Sequence, residues 1–399
     1  MNITTLTPDN GGLVQWPTLS TERRSVVTVG VFDGMHRGHR QVVERTVALA
    51  GQSHSFSVVI MFDPRPSYVH AYADGHDGMQ PPRDARDTQR LTSVDQRIRV
   101  LRDLGVDQVL VVHYTLEFAA KSYRFFLGQL VGKLGMRTLV LGSDAVMGAD
   151  RAGDVKAISN LALATGVFEL VVVDDCGPGY VRIPRNPQPV VPKGPGEPTD
   201  PTSGMSKTEL RAWSKNHDCR KTRVWSSSNV RYLLMQGRIG EANAILGDRH
   251  AVEGLVTHGE QRGRTIGFPT ANLGSDIDGY VPVDGVYAGW MVDLGAAAPE
   301  GAPHQADARA RMDKESPWRW PAAISIGTKP TYSRETGLSE RVVESYAVTK
   351  DWLDLYGHRV RIEFCACVSP QITFAGTEEL KAALGRYAEE TVTITNREH

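Results

Sequence analysis

Short apolar runs alternate with helically spaced segments through the first part of the chain. Val26, Val27 and Val29 open this pattern, and β-branched residues suit a buried pleated surface. Gly30, Asp33 and Gly34 break the run. From Gly38 the spacing of Val42, Val43, Val47 and Leu49 predicts a helix with an apolar stripe. "FSVVIMF" (Phe56–Phe62), "VDQVLVV" (Val106–Val112), "RTLVLG" (Arg137–Gly142) and "FELVVVD" (Phe168–Asp174) predict further strands. Helical patterns fall around Ile98, Leu101 and Leu104, from Phe125 to Leu134 and from Val155 to Thr165, and residues 71–90 form a polar segment. Strands alternating with helices imply right-handed crossovers and an α/β doubly wound parallel sheet. Such sheets bind ligands beyond the carboxyl ends of their strands.

The texture then changes. Gly177 to Thr202 carries eight prolines, a density that predicts an extended or disordered, solvated insertion without regular helix or sheet. Helical spacing returns from Val230 to Leu246, with Gly247 as a stop, so residues 229–247 read as a helical linker. Past His250 the β-rich runs "HAVEGLVTHG", "GVYAGWMVDLG", "WPAAISIG", "RVVESYAVT" and "HRVRIEFCACV" predict a mostly antiparallel β-barrel. A polar, Ala-rich insertion near 296–314 interrupts it, and a helix from Thr377 to about Glu390 closes the chain. The expected domains are 22–228 and 248–392.

Chemistry concentrates in three places. "HRGH" puts His36 and His39 at a helix N-terminus that follows the first strand. Outward backbone N–H groups and the helix dipole suit a phosphate there, although a turn that happens to hold histidines is the plainer alternative. In "GRTIGFPTANL" (Gly263–Leu273), Thr270 and Asn272 share one face of an extended backbone. Their oxygens are hard ligands suited to Mg²⁺ and phosphate, and Gly263 and Gly267 let the backbone approach a ligand closely; such a segment can also be only a turn. Glu344, within the apolar "RVVESYAV", needs water, a partner or a substrate, and an edge strand would satisfy it.

Bulk properties narrow the picture. The 399 residues allow two or three domains, and 41% hydrophobic and 23% charged residues are ordinary for a globular protein. A net charge of -1 makes no electrostatic case for nucleic acid or an anionic membrane. No apolar run reaches the ~18 residues of a membrane helix, and Met1–Pro17 lacks a signal-peptide pattern. Of four cysteines, Cys176 and Cys219 stand alone. Cys365 and Cys367 share a strand face without a second ligand pair, so they read as buried thiols rather than a zinc site. This usage points to a reduced cytoplasm.

Taken together, "VGVFDGMHRGH", "SSSNVR" (Ser226–Arg231), "GRTIGFPTAN" and "IGTKPT" (Ile326–Thr331) resemble the GxFDGxHxGH, SSTxIR, GRxxGFPTAN and NGxxPT motifs of bifunctional riboflavin kinase/FMN adenylyltransferases, the prokaryotic FAD synthetases. The likeness covers about residues 24–390, outside the two insertions. It implies an HxGH-type nucleotidylyltransferase domain followed by a riboflavin kinase barrel, with ATP, riboflavin and FMN as substrates and Mg²⁺ as cofactor. By motif, His36 and His39 would grip the ATP phosphates, with Gly30 and Asp33 shaping their loop. Ser227, Ser228 and Arg231 would close over the triphosphate. Gly263, Arg264 and Gly267 would bind nucleotide, Thr270 and Asn272 would hold Mg²⁺ and phosphate, and Glu344 would be the base. No G-x-x-x-x-G-K-[ST] occurs to act as an alternative phosphate cradle.

Departures also stand out. "GSDAVMG" (Gly142–Gly148) replaces GxDFxFG and loses its aromatics, Arg65 stands where His is common, and Ser369 replaces an Arg. A kinase with an impaired or re-specified adenylyltransferase domain, or a non-catalytic flavin- or nucleotide-binding regulator, are the alternatives. Oligomeric state is not legible.

Overall fold

The computed structural model describes residues 1–397 apart from 83, 176, 259–266, 298–307 and 329–340. The chain forms two compact units: Met1–Gly179 with Arg223–Trp225, and Tyr180–Thr222 with Ser226–His399.

The first unit is built on a six-stranded sheet. Its elements run β1 (Asn2–Leu6), β2 (Ser25–Gly30), α1 (Arg37–Gln52), β3 (Phe56–Asp63), α2 (Pro66–Gly75), α3 (Val94–Asp103), β4 (Gln108–His113), α4 (Leu116–Ala119), α5 (Tyr123–Lys133), β5 (Met136–Gly142), a small pair β6 (Val146–Met147) and β7 (Gly153–Asp154), α6 (Val155–Thr165) and β8 (Glu169–Val173). The sheet order is β1-β4-β3-β2-β5-β8, and every pairing in it is parallel. Strand order reverses between β2 and β5, so their carboxyl ends border the crevice where such sheets take ligands. Fully buried Val27, Val58, Ile60, Leu110 and Leu139 form the core on one face with Phe126 and Leu130 of α5.

Several elements here were not expected: β1, α2, the short helix α4 and the β6–β7 pair. β1 adds an edge strand, pairing Asn2–Leu6 with residues 108–112 of β4. Within the polar segment 71–90, the first residues continue α2, which begins on Pro66, where a missing N–H costs a helix nothing. The remaining expected strands and helices lie within a few residues of their predicted positions.

In the second unit the proline-rich segment is only partly irregular. β9 (Tyr180–Pro184) occupies its proline-poor start and pairs with β10 (Cys219–Arg223), and α7 (Lys207–Asn216) lies between them. The expectation of no sheet there fails because five consecutive residues precede the run of prolines. Beyond them the segment is irregular, as expected. The linker is not one helix but two, α8 (Ser227–Leu234) and α9 (Ile239–Leu246), separated at Gly237 with φ +72°. Gly247 ends α9 in the left-handed region, where glycine carries no Cβ penalty.

β11 (Ala251–Thr257), β12 (Ala271–Leu273), β13 (Gly285–Ala296), β14 (Arg319–Thr328), β15 (Arg341–Ala347) and β16 (His358–Ser369) close a barrel in the order β11-β12-β15-β14-β13-β16. All of its pairings are antiparallel. Tyr287 and Phe364, both fully buried, meet edge to face at 5.5 Å. Cys365 and Cys367 are buried. A short helix, Ala308–Met312, lies in the Ala-rich insertion, and the closing helix extends from Thr377 to Arg397.

Trp16 tests the core of the first unit. It is 8% exposed and sits 5.8 Å from the Phe126 ring. Trp16→Ala is expected to cost about 3 kcal/mol of this unit's stability, read as a lower midpoint in denaturant unfolding. An unchanged midpoint would place Trp16 outside the cooperative core.

Candidate functional site

The HRGH loop is held open by strain and buried charge. Phe32 (φ 52°) and Met35 (φ 45°) both lie in the left-handed region, which costs a non-glycine residue on the order of 1–3 kcal/mol. The surroundings over-determine that shape. Asp33, 2% exposed, accepts the backbone N–H groups of Leu91 at 2.9 Å and Thr92 at 3.1 Å. Gly34 N–H donates to the Thr92 hydroxyl at 2.8 Å. Arg97, with no exposed surface, donates to the Val31 carbonyl at 2.8 Å and to Asp63 at 3.0 Å, tying the ends of β2 and β3 to α3. Asp33 thus ties the loop to the backbone of residues 91–92. A Cβ on Gly30 would stand 3.1 Å from the Phe32 ring, and one on Gly38 2.9 Å from the Asp175 carbonyl.

His36 caps α1, its Nδ1 accepting the His39 N–H at 3.4 Å, and the two rings stack at 3.7 Å. Burial, aided by the neighbouring His39, pushes the His36 pKa well below 6.5. Burial, aided by Arg97, pushes His39 down to about 3. Both imidazoles are therefore neutral at pH 7. His39 Nδ1 is buried with no hydrogen-bond partner among the described residues.

His39, Gly30, Gly142 and Asp175 line a cavity of about 770 Å³ at the sheet's switch point. Arg223 pairs with Asp175, donates to the Ser143 hydroxyl at 2.9 Å and lies 3.2 Å from Asp144. Across the cavity, Phe62, Tyr114 and Phe118 have mutual ring distances of 5.5, 5.8 and 5.9 Å, with Phe126 5.9 Å from Phe118. Ala145 and Met147 line the same space. The aromatic wall missing from "GSDAVMG" is therefore supplied by β3, the turn after β4, α4 and α5. Arg65, at the position where His was expected, turns to Asp87 at 2.6 Å.

Ser227, Ser228 and Arg231 lie on α8 of the second unit. Ser226 caps that helix by accepting from Asn229 N–H at 3.2 Å, and Arg220 donates to the Ser228 hydroxyl at 3.2 Å.

The barrel gathers the other candidates. Asn272 lies directly opposite Glu344 across β12 and β15, and Glu344 opposite Ser325 across β15 and β14. Directly paired residues project to the same face of a sheet, so these three form a row. Glu344 is on an interior strand of a closed barrel, which removes the edge-strand explanation. Thr270 and Asn272 line a cavity of about 350 Å³ with Tyr346, Lys350, Trp352 and Tyr356. Asn272 is 8% exposed; its amide nitrogen lies 3.3 Å from the Thr270 hydroxyl, while its Oδ1 has no partner among the described residues. A buried orphan oxygen beside a hydroxyl fits a hard cation such as Mg²⁺. Gly267 also lines this cavity. Gly263 and Arg264 fall outside the described residues, as do positions 329–331 of "IGTKPT" and Cys176.

Sequence reasoning missed Arg97, Asp175 and Arg223 and the aromatic wall. Asp175 alone carried a signal, since it follows the carboxyl end of β8 in a sheet already read as doubly wound.

Each half of the chain defines an enzyme class. Residues 18–186 match the FAD synthetase family model, and residues 246–395 match the riboflavin kinase family model. Bifunctional riboflavin kinase/FMN adenylyltransferases align along almost the whole chain. That of Listeria monocytogenes is 27% identical, covering 93% of this chain and 92% of the relative. That of Escherichia coli (strain K12) is 28% identical, covering 90% of each, and that of Bacillus subtilis is 25% identical, covering 93% and 92%. A solved structure described as a macrolide-efflux protein from Streptococcus pneumoniae shares the fold, with TM-score 0.64, 21% identity and coverage of 97% and 98%. The chain belongs to the bifunctional riboflavin kinase/FMN adenylyltransferase family.

The neutral histidines have a pH signature. A histidine in the unfolded chain takes up its proton near pH 6.5, whereas folded His39 does so only at about 3. Between those values the unfolded state holds more protons, so the first unit should lose stability as pH falls from 6.5. Histidine NMR signals should show His39 untitrated between pH 8 and 5 and the His36 midpoint displaced well below 6.5. A His39 midpoint near 6.5 would contradict the burial argument.

Proposed function

We propose that this enzyme makes FMN at the barrel and FAD at the parallel-sheet unit, consuming one ATP at each, with the residues placed above in the catalytic roles. The chain is a riboflavin kinase and FMN adenylyltransferase. The observation that carries the residue assignment is the coincidence of two prepared sites on one chain: a strained HRGH loop over an aromatic-walled cavity, and the Asn272–Glu344 pair beside the cavity that Thr270 lines. We assign adenylyl transfer to residues 22–228 and phosphoryl transfer to 248–392, joined by 229–247. We place both reactions in the cytoplasm; among the described residues, no helix is long and apolar enough to cross a membrane.

At the barrel, the ribityl 5′-hydroxyl of riboflavin attacks the γ-phosphorus of ATP. Glu344 accepts the hydroxyl proton as the new O–P bond forms and ADP leaves. Thr270 and Asn272 would hold Mg²⁺, which would supply neutralisation of phosphate charge. In the other site, a phosphate oxygen of FMN attacks the α-phosphorus of ATP and pyrophosphate leaves. No side chain becomes a covalent nucleophile, so the protein's contribution is placement and electrostatics. His36 and His39 act as neutral hydrogen-bond donors at the N-terminus of α1, where backbone N–H groups add to them. The aromatic cluster around Phe62, Tyr114 and Phe118 receives the isoalloxazine ring, which supports adenylylation despite the altered "GSDAVMG" loop. Ser227, Ser228 and Arg231 bind the triphosphate, Arg231 through charge-assisted hydrogen bonds.

The two half-reactions separate by mutation. With riboflavin, ATP and Mg²⁺ supplied and products resolved by chromatography, His39→Ala should halt the sequence at FMN. Loss of one preorganised donor slows adenylylation on the order of 10²–10³-fold, while FMN formation stays near wild type. FAD made at the normal rate by the double variant at His36 and His39 would return HRGH to a plain turn. Glu344→Gln should collapse FMN production with riboflavin binding kept. Near-normal turnover there would reassign the base.

A further inference from the structure

The proline-rich segment, expected as a solvated loop, builds a wall. Val190 N–H donates to the Met235 carbonyl at 2.9 Å, and Gly196 N–H to the Val368 carbonyl at 2.7 Å. Glu197 accepts the Gly240 N–H at 2.7 Å, where α9 has no side-chain cap of its own. Asp200 pairs with the buried Arg238 at 3.0 Å. Prolines lower the entropy that such a strap loses on being fixed. Four separate attachments along 190–200 therefore hold it on the α8–α9 pair and on β16.

Behind this strap lies a cavity of about 580 Å³ that neither catalytic assignment uses. Its sides are pyrrolidine rings, including Pro187 and Pro192, and the aromatic side chains of Trp213 and Tyr232. Trp213 is braced from one side by His217, the rings stacked at 4.6 Å. The amides of Gln188 and Gln236 supply hydrogen-bonding edges, and Lys193 supplies one exposed cation. Flat apolar walls accept a planar ring. Edge amides select a heteroaromatic, and a single cation matches a single anionic substituent. A triphosphate would find too few cations here, and a lone phosphate would leave the aromatic walls uncovered.

We propose that this cavity is a third ligand site, taking a planar heteroaromatic monophosphate of flavin size, and that FMN, the intermediate that passes between the two reactions, is its occupant. The choice of FMN rests on the catalytic reading above; the shape and chemistry of the cavity do not. Tyr232 follows Arg231 directly on α8, so the bound ring touches the helix that carries Ser227, Ser228 and Arg231.

Equilibrium dialysis of FMN against the full chain, without ATP, tests this. Wild type should bind one more FMN per chain than Trp213→Ala. Lys193→Glu, a change at an exposed side chain, should keep that stoichiometry but weaken the additional site about fivefold at low salt. Riboflavin, which lacks the phosphate, should bind the additional site equally in wild type and Lys193→Glu. Equal FMN stoichiometry in wild type and Trp213→Ala, or no change of affinity in Lys193→Glu, overturns the proposal. Displacement of the additional FMN by AMP at a comparable concentration overturns the flavin assignment. A chain that binds the additional FMN yet forms no FAD would leave this site standing and sink the catalytic reading. Normal FAD formation with equal stoichiometries would do the reverse.

Discussion

Two buried charges, Asp33 and Arg97, set the geometry of the HRGH loop, and the ends of β2 and β3 and the start of α3 are tied to them. A carboxylate or guanidinium taken from water costs several kcal/mol unless its hydrogen bonds are replaced. Asp33 replaces them with backbone N–H groups at 91–92, and Arg97 with carbonyls at the ends of β2 and β3. Each charge bridges segments far apart in sequence, so neither is satisfied until the sheet has formed. Once it has, the left-handed conformations at Phe32 and Met35 are imposed from both sides. The strain there is modest beside the penalty of leaving either charge unpaired.

The barrel solves its placement problem by register rather than by buried charge. β12 has only three residues, yet it sits between β11 and β15 inside a closed ring. Closure fixes which residues of β12 and β15 face each other. A slip of one residue would send Asn272 and Glu344 to the opposite face, where Ala271 and Ser345 now sit buried. Gln371 extends the row beyond Glu344, donating to the Ser325 hydroxyl at 2.8 Å and to the Ile326 carbonyl at 2.9 Å.

The elements that were legible in sequence are those whose pattern is local. Runs such as "FSVVIMF" are β-branched and bounded by polar residues, and α6 matched Val155–Thr165 because its apolar stripe is clean. β1 was not legible, since "NITTL" is half polar and becomes a strand by pairing with β4. The linker read as one helix because its periodicity survives the interruption at Gly237. HRGH, PTAN and Glu344 stood out as motifs, whereas Arg223, Asp175 and the Phe62–Tyr114–Phe118 wall meet only in three dimensions. Arg223 and Asp175 are 48 positions apart, and no spacing rule connects residues at that distance.

The charge state of the two histidines decides what kind of site the loop is. Rings stacked at 3.7 Å cannot both carry a proton without strong like-charge repulsion, and burial already disfavours either cation. Fixed positive character at this place therefore comes from the backbone at the start of α1, not from imidazolium. A neutral ring donates a hydrogen bond from whichever nitrogen holds the proton. His36 has committed its Nδ1 to accepting from the His39 backbone, which leaves Nε2–H as its donor. The capping bond thus selects the tautomer before any nucleotide arrives. The same side chain closes the helix end and keeps an Nε2–H donor, which an Asp at that position would not have.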